Sequence, residues 1–335
     1  MITAVHFRNF KALRSAAVRL APFNLVIGPN GSGKTSLIEA LLRLRTLAGL
    51  PVVQAHDRAQ QAPPGPQIEF HFSPPFQNVH VTLGCSANEL VCNLLIVDHP
   101  PGLEGEGQWA ELRTRLQGIR AFLFDHYAMG GSAPRNSGIE LASNAGNLAT
   151  VLAQRRADAP TAFAHLEQDF VRILPEFSGL DFRDSGNGRV ELLARLKPGA
   201  ELLPAGNLSQ GTLYLLALLT LAHDPMPPSV ICIEEVDRGV HPRMLREVRD
   251  ALYRLSYPLA GEKPRPAVQV IATTHSPYLL DLYRDHPEEV VLANKQGNAA
   301  TLERLSERAD IMELMKENNL GDLWYSGIIG GVPGE

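Results

Sequence analysis

Cysteine is scarce in this chain. Cys85, Cys92 and Cys232 are the three present among 335 residues. None stands at zinc-ligand spacing and an odd number cannot all pair, a pattern that suits a reducing compartment. Long apolar runs are missing too. Nothing approaches the roughly 20 residues of a membrane span, and no leader-like segment precedes Ala4-Val-His-Phe7. A cytoplasmic protein without membrane insertion is therefore expected. Charge of one sign is not in excess: 31 Lys and Arg against 36 Asp and Glu leave a net charge of −5. That excludes a global cationic field for nucleic acid or anionic membrane. Internal repeats, low-complexity tracts and sustained heptads are lacking, so there is no coiled-coil arm. The 44% hydrophobic content is enough for a core of ordinary size.

Glycine, by contrast, is concentrated where it matters. Residues 28–35 read Gly28-Pro-Asn30-Gly31-Ser32-Gly33-Lys34-Thr35, the pattern G-x-x-x-x-G-K-T. The apolar stretch Phe23–Ile27 precedes it and Ser36-Leu-Ile-Glu-Ala-Leu-Leu follows. Strand, glycine loop and helix in that order form the context of a P-loop. Small residues at 28, 31 and 33 let successive N–H groups turn inward around a phosphate. The helix beginning there adds its positive dipole end. In this pattern Lys34 reaches the β- and γ-phosphates and the Thr35 hydroxyl ligates Mg²⁺, so ATP and Mg²⁺ are expected.

Short strands are expected at Ile2–Phe7, Ala17–Leu20 and Phe23–Ile27. An antiparallel meander follows at Gln67–Phe72, Asn78–Leu83 and Glu89–Val97, after the breaker Gln60–Pro66. Helices are expected over Gln108–Leu123, about 145–157 and 160–174. From Arg189–Leu196 onward, strands and helices alternate as in a parallel sheet: Gln210–His223, Ser229–Ile233, Arg243–Leu255, Val268–Ala272, Pro277–Tyr283 and Glu289–Ala293. The expected organisation is a discontinuous nucleotide-binding lobe over 1–59 and 181–305. An insertion of meander plus helices spans 60–180, and a helical tail 306–335.

Three later segments carry chemistry. Asn207-Leu-Ser209-Gln210-Gly211 opens an apolar helix, and serine with glycine at a helix start offers a second anion site or an ordinary cap. Val230-Ile-Cys-Ile-Glu234-Glu235 places two carboxylates at the C-terminal end of a buried strand, the edge where open α/β sheets bind ligands. One would hold Mg²⁺ and the other would orient or deprotonate water. Finally, Ile271-Ala-Thr-Thr-His275-Ser-Pro277 puts a histidine after a further apolar strand, where it could contact a γ-phosphate.

Together these residues resemble the ABC ATPase superfamily, and among its members the non-transport branch of SMC, RecF and OLD-like ATPases, the AAA_21 type. Val5-His-Phe-Arg-Asn-Phe-Lys11, the His241-Pro242 after the carboxylates, Thr274-His-Ser-Pro277 and Leu320-Gly-Asp-Leu-Trp-Tyr-Ser-Gly-Ile-Ile-Gly-Gly-Val-Pro333 are similar to that branch. The resemblance implies an α/β P-loop NTPase with an ABC-like mixed sheet, an antiparallel β subdomain and a helical insertion. It implies that Gly28, Asn30, Gly31, Ser32, Gly33, Lys34, Thr35 and Ser36 bind nucleotide, joined by Ser209, Gln210 and Gly211 as the signature. Thr35 and Glu234 would hold the metal, and Glu235, His275 and Lys34 would be catalytic. The signature carries Gln210 and Thr212 where transporters prefer Gly and Gln, and Glu234 stands where Asp is usual. The implied activity is ATP hydrolysis coupled to homodimerisation, with DNA or a DNA-acting effector as partner in repair, DNA maintenance or phage defence. The alternatives are an ABC transporter's ATPase subunit and a poorly hydrolysing nucleotide switch. The arginines of 243–254 interleave with Glu247 and Asp250, which reads as a solvated face.

Overall fold

The computed structural model describes residues 1–50, 53–54, 65–85, 92–258 and 267–330. The expected breaker Gln60–Pro66 lies largely outside these residues, as do the start of the expected strand Glu89–Val97 and the end of the closing segment. The chain divides into two compact units, one of residues 1–121, 228–232 and 268–335 and one of residues 122–227 and 233–267.

Period-2 patterning builds the first sheet of the first unit. Its strands are β1 (Ile2–Phe10), β2 (Leu13–Arg19), β4 (Val53–Gln54), β5 (Gln67–Phe72), β6 (His80–Cys85) and β7 (Cys92–Asp98), in the order β2-β1-β5-β6-β7-β4. Along β5, Ile68, Phe70 and Phe72 are buried while Gln67, Glu69 and His71 take the other face, as in a sheet with one core side. The meander pairs antiparallel, and β5 also pairs antiparallel with β1. Cys85 and Cys92 face each other across the β6–β7 hairpin and form a disulfide, while Cys232 is a buried thiol. Two of the three cysteines therefore pair, unlike the all-thiol state that a reducing compartment suggests.

The second sheet runs β16-β15-β3-β14-β13-β8. Its members are β3 (Phe23–Ile27), β8 (Ile119–Phe122), β13 (Val230–Ile233), β14 (Gln269–Thr274), β15 (Val290–Gln296) and β16 (Ala299–Arg304). β3 is parallel to both neighbours, β14 and β15, and buried at all five positions. Helix α1 (Lys34–Ala48) buries Leu37, Ile38, Leu41 and Leu44 in one apolar cluster with Phe7, Phe70, Val81 and Ile271. Gly118 ends the helix Leu103–Gln117, and the chain re-emerges as β8. The expected helix to Leu123 is thus six residues too long: Ile119–Phe122 joins the sheet, and at the junction a methyl on Gly118 would press on Ser229 Oγ at 3.0 Å.

Two polar side chains at the heart of this unit are fully matched. The Asn24 amide donates to Ala21 O at 2.8 Å and Val270 O at 3.1 Å, and its oxygen accepts from Arg304 at 2.8 Å. The Gln269 side chain accepts from Ile2 N at 3.0 Å and donates to Ile2 O at 2.7 Å. Such pairing is what makes buried polar side chains tolerable.

In the second unit β9 (Ala133–Pro134), β10 (Phe177–Asp184), β11 (Arg189–Leu196) and β12 (Leu202–Pro204) form a sheet centred on β11. Arg189–Leu196, expected to open the parallel alternation, is paired antiparallel on both sides. The cause is the turn Gly186-Asn187-Gly188, all at positive φ, which folds it back on β10. The helix Gln210–Ala222 is buried from Gly211 to Ala222, as an all-round apolar helix must be. The helix Leu245–Ser256 is amphipathic, burying Leu245, Val248, Leu252 and Leu255. On its polar face Arg249 pairs with Asp250 at 2.7 Å and Arg254 with Asp169 at 3.3 Å, while Arg243 and Arg246 are exposed.

At the end of Gln210–Ala222, His223 is 3% exposed and its Nε2 lies 2.9 Å from Asp169 Oδ2. Burial, reinforced by the Arg254 cation, pulls its pKa from 6.5 down to about 4, against the opposing pull of Asp169. A folded pKa below the unfolded value means that protonation favours the unfolded chain. The contribution is present above about pH 6.5 and is lost as pH falls toward 4, at most ~3 kcal/mol. His223→Gln keeps a donor for Asp169 without the proton uptake. It should flatten the fall in thermal midpoint between pH 7 and 5, and an unchanged fall would remove His223 as the cause.

Candidate functional site

The glycine loop is shaped by what surrounds strand β3. Parallel register pairs Ile27 with Thr274 of β14 and with Leu292 of β15. Gly28 therefore leaves the sheet between the exit of β14, where His275 follows, and Ala293. A methyl group on Gly28 would fall on the Ala293 carbonyl oxygen and within 2.8 Å of Ser32 Oγ. Only glycine fits there. Gly31 and Gly33 have φ of 74° and 95°, the left-handed conformation that curls the loop. Gly33 is the N-cap of α1 and brings no side chain to its first turn, which also lacks an acidic residue. The first N–H groups of a helix have no intrahelical acceptor, so an uncapped start is suited to a bound anion.

Lys34 Nζ donates to Gly28 O at 2.7 Å and Pro29 O at 2.9 Å, folding the cation across the mouth of the loop. Asn30, Gly31 and Thr35 are exposed, Ser36 is half-buried, and Ser32 and Gly33 are buried. Ser32 Oγ is buried with no hydrogen-bond partner among the described residues. That orphaned hydroxyl, the cradle a Cβ would fill and the lysine together fit a phosphate chain with its Mg²⁺. His275 is half-buried at the exit of β14. Ser276 then caps the short helix Pro277–Asp281 by accepting from Leu279 N at 3.2 Å.

The first unit thus brings together Gly28, Asn30, Gly31, Ser32, Gly33, Lys34, Thr35, Ser36 and His275. It also adds a residue that the sequence reading passes over. A methyl on Gly31 would lie 3.5 Å from Nζ of Lys295, an exposed lysine near the end of β15. Sequence spacing carries no signal for it: only the parallel pairing of β15 with β3 opens its C-terminal end on the same sheet edge.

The second unit holds Ser209, Gln210, Gly211, Glu234 and Glu235. Ser209 is exposed, and its Oγ accepts from Thr212 N at 3.1 Å and lies 2.8 Å from Thr212 Oγ1. A methyl on Gly211 would meet Gly239 O at 2.8 Å, and one on Gly239 (φ 69°) would meet Gln210 Cδ at 2.5 Å. The helix start is therefore packed directly on the loop that follows the carboxylates. Strand β13 stops at Ile233, so Glu234 and Glu235 lie in the ensuing turn. Glu234 N donates to Phe122 O at 2.9 Å. Glu234 is half-buried, whereas Glu235 is exposed with φ 50° and its Oε2 lies 3.6 Å from Arg238 Nε. A left-handed glutamate costs on the order of 1–3 kcal/mol and marks a conformation held by its surroundings. His241 Nδ1 accepts from Arg243 N at 3.2 Å, so the His-Pro pair begins the next helical turn.

Two family models match the chain. One, described as "AAA ATPase domain", covers residues 1–52 and holds the glycine loop. The other, described as "AAA domain, putative AbiEii toxin, Type IV TA system", covers residues 133–281 and holds Ser209, both glutamates and His275. A 44-residue stretch is 46% identical to the DNA replication and repair protein RecF of Erwinia tasmaniensis. That match spans 13% of this chain and 12% of RecF. In fold the chain is similar to an SMC head solved bound to the C-winged helix domain of ScpA, with TM-score 0.58 and 14% identity over 91% of this chain and 99% of that one. It is also similar to an SMC head domain with an extended coiled coil bound to the C-terminal domain of ScpA, derived from Pyrococcus furiosus. There the TM-score is 0.55 at 13% identity over 94% and 99% of the two chains. These likenesses bear out the expected P-loop architecture with mixed and antiparallel sheets.

Gly28→Ala should abolish nucleotide binding by displacing the loop. Lys295→Ala should weaken it about 3- to 10-fold, the worth of one charge-assisted contact. Titration with a fluorescent ATP analogue measures both. Wild-type affinity in Lys295→Ala would remove that lysine from the site.

Proposed function

We propose that this chain is a P-loop ATPase of the non-transport ABC type, akin to SMC and RecF proteins, and that it works as a nucleotide-driven clamp. ATP held by Lys34 and Thr35 of one protomer is closed over by Ser209, Gln210 and Gly211 of a second copy. Hydrolysis then releases the pair. The observation that carries this reading is Ser209, which stands exposed at the start of a helix that is otherwise buried. A hydroxyl and a helix N-terminus facing outward have the chemistry to complete a phosphate site on another molecule.

The roles divide by chemistry. Thr35 and Glu234 are the residues that would hold Mg²⁺, which when bound neutralises phosphate charge. Lys34 moves from its own loop carbonyls to the phosphates. Glu235 orients and deprotonates the attacking water, and His275 contacts the γ-phosphate and registers its loss. No helix among the described residues is long and apolar enough to cross a membrane. The kinship with RecF supports DNA, or an effector acting on DNA, as the target of the clamp in repair, maintenance or phage defence. A second reading, a slowly hydrolysing switch, draws support from the Glu235–Arg238 pair, because an arginine beside the base must give way before the carboxylate can take a proton.

Glu235→Gln keeps the side-chain shape and removes the base. It should bind ATP, elute as a dimer on size exclusion with ATP and Mg²⁺, and lower phosphate release by about 100-fold or more. Wild-type turnover in this variant would sink the assignment of Glu235. Slow turnover in both variant and wild type, with and without DNA, would favour the switch.

A further inference from the structure

Outside the nucleotide site, the solvent face of the first sheet gathers histidines. Antiparallel register sets His6 of β1 directly opposite Glu69 of β5, and His71 lies two residues further along the same face of β5. One ligand atom from each of His6, Glu69 and His71 lies within 4.8 Å of the others. The rings of His6 and His71 are 4.8 Å apart, and His80 of the next strand stacks edge-on to His71 at 5.7 Å. Nε2 of His71 is buried and has no hydrogen-bond partner among the described residues. An unmatched buried ring nitrogen carries a desolvation cost that a bonded partner would remove.

From this geometry we propose a divalent transition-metal site, with Zn²⁺ as its ion, on His6, Glu69 and His71. Two imidazoles and one carboxylate are the donors of three-ligand zinc centres that keep a position open. They suit zinc far better than Mg²⁺ or Ca²⁺, which prefer all-oxygen shells. Tetrahedral bonds of about 2.0–2.1 Å put ligand atoms ~3.4 Å apart, so atoms now within 4.8 Å of one another need draw together by no more than about 1.4 Å to share an ion. His6 and Glu69 also border a cleft of about 290 Å³ with Ser15 and Ala17, which leaves room for water or a small anion at the open position. The residues lining this cleft include none of Gly28–Ser36. The site's effect is to clamp β1 to β5 through their side chains, beyond the backbone ladder.

The test uses the whole chain stripped with a chelator and dialysed. Isothermal titration with Zn²⁺ should show one equivalent bound, and Co²⁺ should give the visible absorption of a low-symmetry site with nitrogen ligands. Zn²⁺ should also raise the thermal midpoint, because it binds the folded state. His6→Ala, His71→Ala and Glu69→Gln should each weaken binding at least about 10-fold, the loss that even an outer-shell change brings. His165→Ala, an exposed histidine of the other unit, should leave it unchanged. Circular dichroism and nucleotide titration report whether each variant is folded. Failure of the wild type to bind an equivalent, or undiminished binding in folded His6→Ala and His71→Ala, overturns the proposal.

Discussion

Strand β3 is held on both edges, and the position of the glycine loop depends on that double pairing. Its five residues have no solvent-facing side, so the strand cannot slip by one position without turning every side chain over. Asn24 locks the register from within the strand, bonding Ala21, Val270 and Arg304 at once. The carbonyl of Ala293 then limits residue 28 to a hydrogen for a side chain. The glycine loop is thus the free end of a rigid rod. The same rigidity carries His275 to its neighbourhood, through the pairing of Thr274 with Ile27.

Much of this was legible in the chain. The run Phe23–Ile27, the glycines and the alternation around them give strand, loop and helix, because each element is specified locally. The buried strands β13 and β14 were legible for the same reason: four apolar or small residues in a row in Val230–Ile233 and five in Val270–Thr274 leave few other solutions. Less legible was anything decided by a single small residue between two plausible elements. At Gly118 the end of an expected helix gives way to a strand, and Gly186-Asn187-Gly188 turns an expected parallel strand into an antiparallel one. Lys295 was invisible because nearness to Gly31 is a fact of sheet order, not of sequence spacing. The outer-face histidines escaped for a related reason. His6 and His71 lie 65 positions apart in the chain and meet only through strand pairing.

The two glutamates show how local backbone chemistry refines a motif. Adjacent carboxylates on a strand would point to opposite faces, yet β13 ends one residue earlier and the pair sits in a turn. Their divergence comes from the left-handed conformation of Glu235, which sends its side chain to the surface while Glu234 stays half-buried. The division of labour proposed for the two, metal holding and base catalysis, would then rest on one dihedral angle.

Gln210 owes its place to the missing side chain of Gly239. The amide fills the volume that any other residue at 239 would occupy, and Gly211 rests on the carbonyl of that same residue. The start of the signature helix and the loop after Glu235 therefore behave as meshed gear teeth rather than as parts joined by a hinge. Neither can translate along the other without first disengaging. A second copy closing on Ser209, as proposed, would bear on this same contact.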